Sequence, residues 1–238
     1  MESYILEIKN LSCFFGGVKA IDNVDFSVKS NELRCIVGPN GAGKSTLFKI
    51  ILGTVKPKSG SVLFYGKDIK KIPTYKLVRS GIGVKFQNIS IYNDLTVEHN
   101  IRVSLPDYIN QNDIKSEGQK ILNRLGLQVK LSDRAGSLSH GHKQWLSIGM
   151  ALAMEPKLLL LDEPTAGMGS EETSLTAELV KSLNSEGVTI LVIEHDMAFV
   201  RELKAPITVL HLGKILAEGT LKDIENNSKV RNAYLGNN

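Results

Sequence analysis

Apolar runs separated by polar turns divide the chain into segments whose lengths predict strands and helices. Residues 4–8 and 24–28 largely alternate apolar and polar side chains, which is typical of half-buried antiparallel strands. Mostly apolar runs at residues 33–37 and 188–193, and a continuous one at 158–161, predict strands buried on both faces, as in parallel sheets. The pattern therefore predicts an α/β core that begins with antiparallel strands.

The remaining apolar runs add elements to this core. Further strands are predicted at residues 61–65 and 82–86, a closing hairpin at 207–211 and 214–218, and helices at 46–52, 74–79 and 171–184. Between residues 88 and 154 the pattern indicates only helices, at 96–103, 113–125 and 139–154. We therefore predict one domain over residues 1–238. Its α/β core spans 1–87 and 155–238, and a helical subdomain, 88–154, is inserted into it.

Composition and charge are those of an ordinary soluble globular protein. Apolar residues make up 42% of the chain and charged residues 23%, and the net charge of +4 is too mild to argue for a nucleic-acid partner. Cys13 and Cys35 have no neighbours at metal-ligand spacing, so we expect buried, reduced thiols and a cytoplasmic setting. No apolar run approaches the length of a membrane span, so work at a membrane is expected to depend on partners.

A glycine-rich turn at residues 38–46 carries the clearest chemical signal. It follows a predicted strand, precedes a predicted helix, and fits the phosphate-loop pattern G-x-x-x-x-G-K-[ST]. Such loops direct backbone N–H groups at phosphate, the lysine reaches the β- and γ-phosphates, and the serine hydroxyl can bind Mg²⁺. The candidate nucleotide-binding residues are Gly38, Pro39, Asn40, Gly41, Ala42, Gly43, Lys44, Ser45 and Thr46. An ordinary glycine-rich turn is the alternative, which the flanking strand and helix disfavour.

Acidic and histidine side chains follow two other predicted strands. Asp162 and Glu163 end one apolar run, and His195 comes just after another. Ligands of open α/β sheets bind beyond the carboxyl ends of strands. There Asp162 could hold Mg²⁺, Glu163 could orient or deprotonate an attacking water, and His195 could contact the γ-phosphate. Without the phosphate loop, a solvated turn and a structural histidine would be the favoured explanations of these residues.

A seven-residue stretch at 138–144, LSHGHKQ, resembles the signature loop of ATP-binding-cassette (ABC) ATPases, usually written LSGGQ. The order of phosphate loop, Gln87, signature, Asp162-Glu163 and His195 is also the order of that family. The resemblance covers essentially the whole chain. It implies a RecA-like P-loop NTPase core, an N-terminal antiparallel β subdomain and an inserted α-helical subdomain.

Membership would assign further roles. Phe15, beside a glycine turn, would stack on adenine in place of the usual tyrosine, with Val18 in the same site, although simple packing of the aromatic pair stays open. Gln87 would contact Mg²⁺ and water and connect the helical subdomain to the core. Ser139 and Gly141 would bind the γ-phosphate of ATP held by an opposing subunit. Two subunits would thus enclose two ATP molecules head to tail.

Finer features narrow the resemblance. Residues 138–150, 166–168, 217–220 and 234–236 are similar to ATPases of branched-chain amino-acid importers, and His140 with Trp145 is most similar to the urea branch. This implies ATP hydrolysis that powers uptake of a small polar solute, urea or branched-chain amino acids, at the inner face of the cell membrane. The implied partners are permease subunits, indirectly a solute-binding protein, and a second cassette. The second cassette is either a copy of this chain or a relative, and the resemblance favours a relative.

Three positions depart from the family pattern. His140 and His142 replace a glycine and a glutamine of the signature, and Gly169 replaces an aspartate of the dimer-crossing loop. A metal site at the two histidines is disfavoured because no further ligands accompany them. The alternative functions are an ABC exporter, for instance of a lipid, a non-transport ABC ATPase, and a small-molecule kinase. The kinase is disfavoured because such enzymes lack the signature.

Overall fold

The computed structural model describes the backbone of residues 3–235 and side chains as far as residue 233; Gly236 and the polar end of the chain lie outside this range. The strands within it are β1 (Tyr4–Phe15), β2 (Val18–Lys29), β3 (Leu33–Val37), β4 (Ser59–Phe64), β5 (Lys67–Asp68), β6 (Ile82–Lys85), β7 (Leu158–Asp162), β8 (Thr189–Ile193), β9 (Ile207–His211) and β10 (Lys214–Gly219).

The helices occupy the intervals between these strands. They are α1 (Lys44–Ile51), α2 (Thr74–Arg79), α3 (Val97–Ser104), α4 (Ile114–Arg124), α5 (His140–Leu152), α6 (Ser170–Ser185), α7 (Met197–Leu203), α8 (Leu221–Asn226) and α9 (Ser228–Leu235). Over residues 3–235, no helix is long and apolar enough to cross a bilayer.

The strands form two sheets. Four antiparallel strands pair in the order β2-β1-β4-β5, and six strands pair in the order β10-β9-β3-β8-β7-β6. In the larger sheet all neighbours are parallel except β10, which runs antiparallel to β9. The carboxyl ends of β3, β6, β7 and β8 therefore lie at one edge, where the candidate site residues follow them.

The larger sheet is buried on both faces, as its mostly apolar strands predict. Along β7, Leu159 and Leu161 face a core shared with α3–α6, whereas Leu158 and Leu160 face a core shared with α1 and the smaller sheet. Cys13 and Cys35 are free and buried, as expected.

The elements differ from the sequence prediction mainly in β1, β2, β5 and α7. β1 and β2 are each 12 residues long and reach the turn after Phe15, because bulges interrupt the alternation that marks a regular strand. β5 and α7 were not predicted at all. Between β6 and β7 the structure has only helices, α3 to α5. The boundaries 1–87, 88–154 and 155–238 stay a prediction.

Candidate functional site

The turn between β3 and α1 requires glycine at two positions. Gly38 and Gly43 have φ angles of 154° and 107°. A Cβ atom would stand 2.1 Å from the carbonyl oxygen of Leu210 at Gly38, and 2.2 Å from that of Ala20 at Gly43. Neither contact can be relieved by turning a side chain, since both involve backbone. The loop can therefore curl this tightly against β9 and β2 only with glycine at both positions.

Lys44 lies inside the curl of this loop. Its side chain is only 6% exposed, and its Nζ atom donates to the carbonyl oxygens of Gly38 (2.7 Å) and Pro39 (3.2 Å). Burial lowers the pKa of Lys44, while the nearby carboxylates Glu163 and Asp162 act in the opposite direction. The loop thus holds the ammonium group of Lys44 against its own carbonyl oxygens. An anion bound in the loop could replace these oxygens as the partner of Lys44.

The other loop residues contact residues within the turn or beside it, or face solvent. Ala42 donates from its backbone nitrogen to the oxygen of Pro39 (3.1 Å) and accepts from the nitrogen of Gly213 (2.9 Å). Asn40, Gly41 and Ser45 are exposed. This part of the chain closes as one turn whose outer side faces solvent.

Asp162 is the last residue of β7 and is only partly exposed. Burial, together with the charge of Glu163, raises the pKa of Asp162 to about 6, although Lys85 and Lys44 act against this rise. A carboxyl group with this pKa is easily ionised by an added cation.

Glu163 meets two other predicted site residues. Its Oε2 atom accepts a hydrogen bond from Gln87 Nε2 at 2.8 Å, and its Oε1 atom lies 3.3 Å from His195 Nδ1. Its backbone is left-handed, with φ of 46°, a conformation uncommon outside glycine that often occurs at functional sites. The ends of β6, β7 and β8 thus bring the amide, the carboxylate and the imidazole together.

The residues proposed to hold Mg²⁺ carry suitable atoms. Ser45, Gln87 and Asp162 offer hydroxyl, amide and carboxylate oxygens, the ligand type that Mg²⁺ prefers. Among residues 3–235, no cluster of three or more histidines, cysteines or carboxylates could hold a metal by itself.

The signature segment forms the first turn of α5. Ser139 caps the helix, because its hydroxyl oxygen accepts a hydrogen bond from the backbone nitrogen of His142 (3.2 Å). Gly141 is buried against Glu172, whose carboxylate oxygen would stand 2.3 Å from an added Cβ. Ser139 itself is exposed. The turn therefore presents the hydroxyl of Ser139 and hides Gly141.

The two histidines of the signature have separate partners. The Nε2 atom of His140 donates to the carbonyl oxygen of Ala166 (2.8 Å), to which Gln144 Nε2 also donates (3.0 Å). The ring of His142 instead lies 6.0 Å from that of Trp145. Trp145 packs on the core, and its Nε1 atom donates to Thr176 Oγ1 at 2.8 Å.

Phe15 and Val18 flank the turn that joins β1 to β2 and are 51% and 68% exposed. The neighbouring Phe14 ring lies 5.1 Å from the ammonium group of Lys58 and 5.8 Å from that of Lys19. The structure leaves the side chain of Phe15 open to a planar ligand.

Sequence reasoning assigned no role to two buried charged residues of this site. Glu194 and Lys85 are each 1% exposed. Lys85 donates to the backbone oxygens of Asp162 (3.3 Å) and Glu163 (3.1 Å), and burial lowers its pKa to about 8. A signal was present, since Lys85 ends β6 two residues before Gln87, and Glu194 lies between the end of β8 and His195.

Comparison with known protein families and relatives gives a consistent result. Residues 21–166 match the family described as ABC transporter. The chain is 33% identical to the high-affinity branched-chain amino acid transport ATP-binding protein BraF of Pseudomonas aeruginosa, and the match covers 99% of both chains. It is 32% identical to the corresponding protein LivG of Escherichia coli, again over 99% of both.

Solved structures agree in fold. A nucleotide-free ATP-binding cassette from an ABC transporter is 31% identical, with a TM-score of 0.88 over 98% of this chain and 100% of that one. The cassette MJ0796, in a dimeric post-hydrolysis state bound to ADP and phosphate, is 27% identical, with a TM-score of 0.80 over 91% and 98%. The α/β fold expected from the sequence, with a P-loop NTPase core, is confirmed.

Proposed function

The chain belongs to the ABC transporter family, whose members hydrolyse ATP, and from this membership we propose that it is the ATPase subunit that powers an importer of a small polar solute. The observation that carries the proposal is the meeting of Gln87, Glu163 and His195 at one sheet edge. Phosphoryl transfer needs positioning and neutralisation of charge more than covalent chemistry, and this arrangement offers both.

Each residue has a specific task in the proposed reaction. The backbone of the phosphate loop and Lys44 bind the phosphates of ATP, while Phe15 and Val18 receive the adenine. Glu163 orients a water molecule and accepts its proton, and His195 contacts the γ-phosphate. Ser45, Gln87 and Asp162 would hold Mg²⁺, which supplies positive charge beside the phosphate oxygens when bound.

The signature turn serves a second ATP molecule. We assign Ser139 and Gly141 to the γ-phosphate held by an opposing cassette. Ser139 is exposed, and its hydroxyl accepts from its own helix α5. Gly141 is assigned from the resemblance of the signature turn, and it is buried against Glu172 in the single chain. The relative MJ0796 forms a dimer with ADP and phosphate, which supports this arrangement. The opposing cassette is proposed to be a relative of this chain.

A groove beside Gln87 is the proposed contact with a permease. It encloses about 720 Å³ and is lined by residues of β6, α5 and the segment after α3. Phe86 and Tyr108 on its wall are 45% and 79% exposed. Phe86 directly precedes Gln87, which donates to Glu163. A permease segment that moves in this groove would therefore shift Gln87 and, through it, the site that contains Glu163. The protein would thus sit at the inner face of the membrane, and a solute-binding protein would act through the permease.

The solute is proposed from relatives and from the signature. BraF and LivG are named for branched-chain amino acids, which favours an amino acid. His140 together with Trp145 favours urea. Uptake of radiolabelled leucine and urea by cells with and without the gene separates the two, and efflux dependent on the gene would instead indicate an exporter.

Glu163→Gln tests the proposed reaction. The amide keeps the shape and the contact with Gln87 but cannot accept a proton, so we expect at least a 100-fold loss of turnover with ATP binding retained. ATP hydrolysis by the purified protein, equilibrium binding of ATP and sedimentation of the ATP-bound form measure this. Hydrolysis at the wild-type rate would refute the assignment of Glu163 as base.

A further inference from the structure

A buried carboxylate connects the loops that follow β7 and β8. Glu194 is 1% exposed, yet four donors surround its oxygens. Its Oε1 atom accepts from Thr165 Oγ1 (2.7 Å) and Thr165 N (3.3 Å), and its Oε2 atom accepts from the backbone nitrogens of His195 (3.1 Å) and Asp196 (3.3 Å). Hydrogen bonds of this number offset the cost of burying the charge.

The two loops held by Glu194 carry two of the proposed reacting groups. Thr165 stands two residues after Glu163, and His195 is the immediate neighbour of Glu194. The backbone nitrogen of Glu163 also donates to the oxygen of Ile193 at 2.9 Å, so the strands are already joined on that side. Glu194 therefore connects the two loops at a point beyond the carboxyl ends of β7 and β8.

The next residue of the same loop reaches the signature turn. The carbonyl oxygen of Ala166 accepts hydrogen bonds from His140 Nε2 and Gln144 Nε2. Thr165 and Ala166 thus form a short junction, held by Glu194 on one side and by the first turns of α5 on the other.

We propose that Glu194 is a positioning residue for hydrolysis, which holds the junction Thr165–Ala166 so that Glu163, His195 and the signature turn keep a fixed relation. The inference rests on the proposed function. Glu194 itself touches neither ATP nor water in this proposal. Its loss lets the loop after β7 shift, which misplaces Glu163 against the γ-phosphate, while the phosphate loop and Lys44 still bind ATP.

Glu194→Gln is the main test. The glutamine NH₂ group cannot accept hydrogen bonds, so the donors of one of the two loops lose their acceptor and that loop is released. We expect kcat for ATP to fall 10- to 100-fold, while KM and the equilibrium affinity for ATP change less than threefold. Thr165→Val removes the hydroxyl donor and should lower kcat three- to tenfold, whereas Thr165→Ser keeps both donors and should restore it to within twofold.

Glu218→Gln is a matched control. Glu218 also accepts from a threonine hydroxyl, that of Thr208 (2.7 Å), and from Arg34 Nη1 (2.8 Å), which lies near the amino end of β3, away from the site. We expect its kcat to stay within twofold of wild type. A kcat for Glu194→Gln above half the wild-type value would overturn the inference.

Other outcomes are equally decisive. If Glu194→Gln does not fold, Thr165→Val and Thr165→Ser decide, and equal kcat values for these two overturn the inference. Parallel loss of ATP affinity and kcat would show a structural role only and would also overturn it. A wild-type protein that stays inactive also in the assembled transporter contradicts the proposed function instead, so the two failures are distinguishable.

Discussion

Asp162 shows at the scale of one residue how a site can oppose stability. Its pKa is raised to about 6 by burial and by Glu163, whereas an unfolded aspartate titrates near pH 3.9. Between about pH 4 and pH 6 the folded protein therefore binds more protons than the unfolded chain. The free energy of unfolding falls as the pH rises through this window, and the destabilisation is fully present above it.

Asp162→Asn should remove this effect. In EDTA and without nucleotide, we expect its free energy of unfolding at pH 7.5 to exceed that of wild type by about 1–3 kcal/mol, because no carboxylate must be buried. The gap should close near pH 3, where wild-type Asp162 is protonated in both the folded and the unfolded state. Urea denaturation at the two pH values measures it. A gap that does not change with pH would contradict the raised pKa.

At the scale of elements, the turn between β3 and α1 depends on particular glycines. A Cβ atom added at Gly43 would clash with the backbone of Ala20. At Gly41, with φ of 80°, an added Cβ would have no other atom within 4 Å. An alanine at Gly41 meets only the cost of a left-handed backbone, about 1–2 kcal/mol. An alanine at Gly43 meets this cost and a clash with backbone.

Gly43→Ala should therefore destabilise the protein more than Gly41→Ala. We expect the free energy of unfolding to fall by about 1–2 kcal/mol in Gly41→Ala and by more than about 3 kcal/mol in Gly43→Ala. Urea denaturation of both variants against wild type gives the two values. Equal losses would show that the turn relaxes away from β2, contrary to the close packing described.

The sequence predicts those elements whose pattern is local. Mostly apolar runs identify β3, β7 and β8, and the phosphate-loop pattern locates the turn before α1. Helix α7 was missed because it has only seven residues and ends at Lys204, which adopts the left-handed conformation in place of the glycine that usually marks a helix end. Short elements are determined by what they pack against.

Long-range contacts explain the part of the site that could not be predicted. Glu163 and His195 could be predicted as site residues because each follows a recognisable apolar strand. The contact between Glu194 and Thr165, in contrast, joins residues 29 positions apart. His140 and Ala166 are 26 positions apart. No local pattern relates such pairs, and their contacts depend on how β7, β8 and α5 meet.

At the scale of the whole molecule, the proposed reaction needs a second cassette. Ser139→Arg places a bulky cation on the signature turn, so we expect at least a 50-fold loss of hydrolysis with ATP affinity of the monomer unchanged within threefold. Hydrolysis rates and equilibrium binding measure this. Ser185→Arg, at the exposed end of α6, is the control and should hydrolyse ATP normally. Loss of ATP binding in Ser139→Arg would refute a role across the subunit boundary.

The sequence contains a single tryptophan, Trp145, which lies in the second turn of the signature helix α5. Its indole is partly buried and donates to Thr176 of α6, and the ring of His142, in the first turn of α5, lies 6.0 Å from it. Indole emission depends on the polarity around the ring. The protein therefore carries a native fluorophore where a second cassette would close, and ATP-driven association can be followed in the unlabelled wild-type chain.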